Sequence, residues 1–154
     1  MFNTFVFQQL NLSRMYPIPA FQEKNKDEII SFIHAHPFGT LIGVGEDLRP
    51  VATQIPVLLK ERAGDFFLQG HFMKQTDHHK AFLHNPEALV LFTGPHTYVS
   101  ASWYENKQQA STWNYMTVHA RGTIELLDAT ALPGMLEELT SHFEQNPSSP
   151  SLYK

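Results

Sequence analysis

Between Thr112 and Leu127 the chain alternates with a period of two. Met116, Val118, Ala120, Gly122, Ile124 and Leu126 point one way, and Thr117, His119, Arg121, Thr123 and Glu125 the other. A run of this kind is a strand with one face on a core and one face on something polar. A second extended segment, Thr97–Tyr104, precedes it, and a polar loop joins the two. Tyr98, Trp103, Tyr104, Trp113 and Tyr115 gather around that loop, and they include both tryptophans of the chain. Aromatic bodies with polar tips suit a flat ring ligand or a subunit interface, and core packing is their plainer use.

The rest of the chain reads as further short strands with a few helices. Asn25, followed three residues on by Glu28, resembles a capping box. Behind it Ile29, Ile30, Phe32 and Ile33 form a stripe, which predicts a helix over Lys26–His36 stopped by Pro37. Strands are expected at Phe38–Val44, Arg49–Leu59, Asp65–His71 and Ala88–Thr93, with turns at Gly45-Glu46-Asp47, Ala63-Gly64-Asp65 and Gly94-Pro95. Pro56 marks an edge or a bulge. Thr76 or Asp77 caps a short helix running to about His84, and a last helix covers Thr130–Gln145. Strands joined by short turns make an antiparallel meander. Six of them with flanking helices favour a small barrel over an open sheet, because closure hides the edges.

At 154 residues a single domain is expected, and 42% hydrophobic with 17% charged residues suits a globular chain with a core. A net charge of -4 weighs against a protein whose main business is nucleic acid. The absence of cysteine excludes disulfides, thiolate metal sites and a cysteine nucleophile. No apolar run is long enough to span a membrane. The opening MFNTFVFQQLNLSR lacks a basic start and a small-residue cleavage site. It reads as an extension or arm, and the cytoplasm is the expected location.

Four constellations could carry chemistry. In GHFMKQTDHHK, His71 and Lys74 sit between a strand and a helix start, and Thr76 can present a hydroxyl there. A helix N-terminus with a lysine welcomes an anion such as phosphate. A solvated lysine before an ordinary capped helix is the plainer account. Nine histidines form the second set. No zinc-hydrolase spacing occurs among them, so hydrogen-bonded or surface histidines are expected and no metal site. Third, Gln54 within Thr53-Gln54-Ile55-Pro56 could meet the amide-like edge of a flavin or a base, although alternation alone turns it away from Ile55. The fourth is the aromatic group. No hydrolase elbow, P-loop or dinucleotide fingerprint is present.

Several longer runs carry a resemblance. HPFGTL at His36–Leu41, TQIPVLL at Thr53–Leu59, Gly70-His71, GPHTYVSASWY at Gly94–Tyr104 and TWNYMTVHARG at Thr112–Gly122 are similar to the PaiB-type FMN-binding negative transcriptional regulators. Those proteins are relatives of the pyridoxamine-phosphate-oxidase split-barrel flavoproteins. The resemblance runs from Met15 to Phe143. It implies a mainly β protein: an antiparallel split β-barrel of the FMN-binding type with flanking helices, a homodimer with FMN in clefts between subunits. It places Lys74 at the FMN phosphate with His71 and Thr76 assisting. Thr53, Gln54 and Ile55 then run beside the isoalloxazine ring, and Trp113, Asn114 and Thr117 meet the cofactor from the other side.

The implied organisation is an N-terminal extension over residues 1–14, a barrel domain over 15–145 and a tail over 146–154. Relatives begin near Met15-Tyr16 and continue past Tyr153, so the family's C-terminal region is expected to be missing here. The implied function is that of a negative transcriptional regulator or accessory flavoprotein. A flavin-dependent oxidoreductase, or a haem-utilisation-type relative of the same fold, is one alternative. A DNA-binding repressor that uses no flavin is another, although no helix-turn-helix pattern is visible and the charge balance is acidic. No reaction and no catalytic residue follow from the sequence.

Overall fold

The computed structural model describes residues 2–12, 18–106 and 108–144. Six strands carry the fold: β1 (Phe2–Leu12), β2 (Phe38–Val44), β3 (Pro50–Arg62), β4 (Asp65–Met73), β5 (Glu87–Val99) and β6 (Thr112–Leu126). All pairings are antiparallel, and the order β1-β4-β3-β2-β5-β6 closes into a barrel with β6 back against β1. Alternate residues of each strand fill the interior. Phe5, Phe7, Leu41, Val57, Leu68, Val90, Phe92 and Ala120 are all almost fully buried there. Each large side chain of this set contributes about 1.5–3 kcal/mol by leaving water. Closure pairs most of the sheet edge within the chain.

The expected barrel is present, but its sixth strand comes from elsewhere. The opening stretch, expected to stand outside the barrel as an extension, supplies β1. It pairs with β4 from Phe2↔Met73 to Phe7↔Leu68 and with β6 from Phe5↔Leu126 to Leu12↔Ala120. Phe5 and Phe7 enter the core while Thr4 and Val6 face outward. In Phe-Val-Phe both faces are apolar, which hid this alternation from the sequence. The strands expected at Ala88–Thr93 and Thr97–Tyr104 are one strand, β5. Gly94-Pro95 is no turn: it is a bulge, since Thr93 faces Thr117 but His96 faces Tyr115, one residue out of step. The chain leaves β5 at Val99, and Ala101–Trp103 is a 3-10 turn. The expected tail at 146–154 lies outside the described residues.

Among the described residues three α-helices flank the barrel: α1 (Lys26–Ala35), α2 (Asp77–His84) and α3 (Leu132–Phe143). Asn25 caps α1, its side chain accepting from Asp27 N at 3.0 Å. The Asn25 N–H goes to Glu23 at 2.7 Å, not to Glu28 as a capping box would have it. α2 buries Ala81 and Phe82. Phe82 lies where a side chain on Gly43 would be, 2.4 Å from a Cβ built there, so only glycine lets this helix close on β2. α3 packs on the outside of the wall, Met135 and Leu139 forming a second small core with Leu58 and Leu127. Glu138 ties it down by pairing with Lys60 and accepting from Gln69. Among the described residues no helix is long and apolar enough to cross a membrane.

Candidate functional site

The barrel wall opens between β3 and β4 on the side that leads into α2. β3 and β4 pair only as far as Val57↔Gly70. Beyond that point β3 continues against β2 alone, from Pro56↔Phe38 to Pro50↔Val44, and β4 continues against β1 alone. Pro56 explains the parting. Val57 N donates to Pro37 O at 2.9 Å, on the β2 side. Donors alternate along a strand, so the N–H that proline lacks would have pointed at β4. Extending the register would set Pro56 opposite His71 and Gln54 opposite Met73, all outside the barrel.

Lys74, Gln75 and Thr76 make the tight link from β4 into α2. Gln75 takes a left-handed backbone, φ 66°, uncommon for a residue with a side chain. Its N–H is held by His79 Nδ1 at 3.2 Å. The Thr76 hydroxyl donates to Met73 O at 2.9 Å and accepts from His79 N at 3.3 Å, so it caps α2 as expected. It also lies 2.9 Å from His78 Nε2. Asp77 takes the N–H of His78 at 2.7 Å. The first turn of α2 is thus largely satisfied by its own side chains. Lys74 is half-buried and makes no ion pair among the described residues.

Charge is arranged around Lys74. The His79 imidazole is pushed below its ordinary value, by burial first and then by Lys74, His78 and Lys80. Asp128 is held low mainly by hydrogen bonds from Thr130, with Lys74 adding to the effect. His71 faces outward from β4 and is half-buried; burial pushes its imidazole down too. Its Nδ1 is fully enclosed and has no hydrogen-bond partner among the described residues, and the same holds for the hydroxyl of Thr4, its register partner on β1. Buried polar atoms without partners are rare, and each calls for a water or a ligand.

The other candidates fall into two groups. Thr53 and Ile55 face the core side of β3, Ile55 fully, while Gln54 is exposed on the outer face opposite Thr40. Phe38, 62% exposed, lies beside it opposite Pro56. Gln54, Phe38 and Pro56 thus form a shelf next to the split. Trp113, Asn114 and Thr117 belong to a different part of the molecule, the ribbon that β5 and β6 form beyond Thr93 and Thr117. The Thr117 hydroxyl donates to Phe92 O at 2.8 Å. Trp113 is 57% exposed, with ring contacts to Tyr98 at 5.7 Å and His96 at 5.9 Å. The sequence did not single out Gln75, whose left-handed backbone leaves no compositional trace.

A closed antiparallel barrel, split at one wall and flanked by helices, defines the split-barrel class of flavin-binding folds. A structure described as "a putative 5-nitroimidazole antibiotic resistance protein" from Bacteroides thetaiotaomicron shares this fold. Its TM-score is 0.63 at 15% identity, covering 94% of this chain and 80% of that one. Residues 15–154 match the family described as "Putative FMN-binding domain". The chain is 31% identical over 139 residues to "Protease synthase and sporulation protein PAI 2" of Bacillus subtilis. That similarity covers 90% of this chain and 66% of the relative, so the chain spans less than two thirds of it. The chain belongs to this family of PaiB-type FMN-binding proteins, and FMN is its cofactor. The family match begins at residue 15, so β1 lies outside it.

The residues at the split fit FMN on their own chemistry. A phosphate ester needs a cation and a hydrogen-bond partner, and Lys74 and the orphaned ring of His71 supply both. A flavin ring needs a flat support and an edge that both donates and accepts, which the Phe38–Pro56 shelf and the Gln54 amide offer.

Proposed function

We propose that two copies of this chain pair through their β5–β6 ribbons, and that FMN lies in the grooves between them. Lys74 and His71 of one copy hold the phosphate, with Thr76 keeping the link to α2 in shape. Gln54, flanked by Thr53 and Ile55, lines the ring. Trp113, Asn114 and Thr117 reach the cofactor from the other copy. One observation carries this reading above the rest: the wall parts near a cation and a buried imidazole nitrogen that have no ion-pair or hydrogen-bond partner among the described residues.

When bound, FMN supplies redox chemistry through its own ring. The chain's residues bind and orient it. Burial keeps His71 neutral near pH 7, so its ring serves as a hydrogen-bond partner while Lys74 provides the charge. We assign the flavoprotein a regulatory or accessory role. The name of the Bacillus subtilis relative, which refers to sporulation, supports such a setting. Direct reading of DNA has less in its favour, given the net charge of -4.

Titration with FMN and with riboflavin tests the site, because only FMN carries the phosphate. Lys74→Ala is expected to weaken FMN about tenfold or more, the value of one charge-assisted contact, and to leave riboflavin unchanged. Equal loss for both ligands would remove Lys74 from the phosphate. A gel shift on the gene's own upstream DNA at low salt tests the regulatory route. No shift there excludes direct DNA contact, since phosphate contacts are strongest at low salt.

A further inference from the structure

The neutral ring of His71 carries one proton, and the phosphate site proposed above needs it on a particular nitrogen. Above about pH 7 a phosphate ester accepts hydrogen bonds and has almost no proton to donate, so the ring has to offer it an N–H. His71 Nδ1 is fully enclosed, out of reach of a ligand in the split. The proton therefore has to sit on Nε2, which is not among the enclosed atoms, while Nδ1 accepts. Which nitrogen of a neutral imidazole is protonated is set by the hydrogen bond that the other one makes.

β1 places a donor opposite Nδ1. Thr4 is the register partner of His71, and both face out of the barrel. The Thr4 carbonyl accepts from Leu127 N at 2.9 Å, on the β6 side. Thr4 thus turns its backbone groups away from β4. It faces His71 as a non-hydrogen-bonded pair, the closer of the two kinds, with Cα atoms about 4.5 Å apart. The 3-10 turn at Ala129–Ala131 and α3 pack against β1, and Thr4 is only 1% exposed. Phe2, the next outward residue of β1, sets its ring perpendicular to the imidazole with centres 5.4 Å apart. Two enclosed polar atoms, both without partners among the described residues, therefore belong to side chains directly across from each other. A single bond satisfies both in one sense only, with the hydroxyl proton going to Nδ1. In the reverse sense, with Nδ1–H donating, the hydroxyl proton would stay buried and unpaired. The ring torsion of a histidine is soft, so a modest swing joins the two.

We propose that Thr4 is a positioning residue for the flavin site: its hydroxyl donates to His71 Nδ1 and so keeps the ring proton on Nε2, where it can bond the phosphate. Thr4 belongs to β1, outside the residues that match the family. The inference rests on the assignment of His71 to the FMN phosphate.

Long-range proton–nitrogen NMR correlation on 15N-histidine-labelled protein without FMN, at pH 7.5, reads the tautomer. The signals of His71 are identified by their loss in His71→Phe. Wild type and Thr4→Ser are expected to show Nε2 protonated and Nδ1 bare. Thr4→Val keeps the shape and removes the hydroxyl, and should move both nitrogens to intermediate shifts. In titrations Thr4→Val should weaken FMN about fivefold, the value of one neutral hydrogen bond, and leave riboflavin unchanged, while Thr4→Ser keeps the wild-type affinity. A wild-type ring protonated on Nδ1 would overturn the proposal, and that result needs no variant to fold. An unchanged tautomer in Thr4→Val would overturn it as well. If Lys74→Ala separates FMN from riboflavin and Thr4→Val does not, this inference falls and the FMN site stands. If wild-type protein binds FMN no better than riboflavin, the phosphate site itself falls, and the role of Thr4 with it.

Discussion

β5 and β6 run side by side for most of their length, yet their two halves lie in different surroundings. From Glu87 to Phe92, opposite Val118 to Thr123, the inward side chains Ala88, Val90, Phe92 and Ala120 are buried in the barrel. From Thr93 to Val99, opposite Thr112 to Thr117, the ladder continues past the bulge, and Tyr98, Trp113, Tyr115 and Met116 are largely exposed. The lower half is held by neighbours on both sides. The upper half is a two-stranded ribbon, which is marginal in water without a further surface. A patch of large exposed aromatics on such a ribbon marks a place where something docks. The same pair of strands therefore serves as core in one half and, in the proposed dimer, as contact surface in the other.

The sharpest way to break this contrast is to truncate one aromatic in each half. Phe92→Ala should cost about 3–5 kcal/mol, the usual loss for a fully buried ring. Trp113→Ala should change the stability of the dilute single chain by no more than about 0.5 kcal/mol while weakening self-association. Urea denaturation gives the first pair of numbers and sedimentation the last. If Trp113→Ala were as costly as Phe92→Ala in dilute solution, the ribbon would be core and the contrast would fall. A second substitution probes the lower half where it meets β1. A Cβ on Gly122 would stand 2.2 Å from Gln8 O and 3.0 Å from the Phe7 ring. Gly122→Val should therefore cost about 1–3 kcal/mol by prising β1 from β6. A neutral result would mean that β1 does not belong to the wall.

How far the sequence revealed this molecule follows from the same two halves. The clean alternation of β6 was legible because one of its faces is polar along the whole strand. The barrel followed from short turns and the need to close, and the caps at Asn25 and Thr76 were legible from residue type. β1 was not, because Phe5-Val6-Phe7 is apolar on both faces and its partners lie more than sixty residues away along the chain. Gly94-Pro95 reads as a turn in any local scheme; that it is a bulge depends on the pairing of β5 across to β6. For the candidate site, the sequence pointed to Lys74, His71 and Thr76 as neighbours and to the outward face for Gln54. It could not show that the Thr76 hydroxyl is engaged within its own helix. Nor could it show that Trp113 and Asn114 lie on the ribbon, whose described ring contacts stay within the ribbon itself. The proposed site, shared between two copies, would divide its residues in this way.

A smaller effect concerns three half-buried imidazoles. His71, His79 and His119 are each pushed below the ordinary value of 6.5, burial being the first cause in every case. A group whose folded value is depressed binds its proton more readily when unfolded. The cofactor-free protein should therefore lose stability as the pH falls through about 6.5, and keep it above. Urea midpoints at pH 7.5 and 5.5 measure this. His71→Phe should flatten part of the dependence, and an unchanged slope would mean that His71 is not buried in solution.

The central claim is that two copies of the chain build one flavin groove. Adding FMN while following its fluorescence, on protein whose mass in solution is measured at the same concentrations, tests this directly. The expected result is quenching that saturates at one FMN per chain on a species of twice the chain mass, with Trp113→Glu lowering mass and quenching together. Saturable quenching on a species of single-chain mass would contradict it, because the groove would then be complete without the second copy.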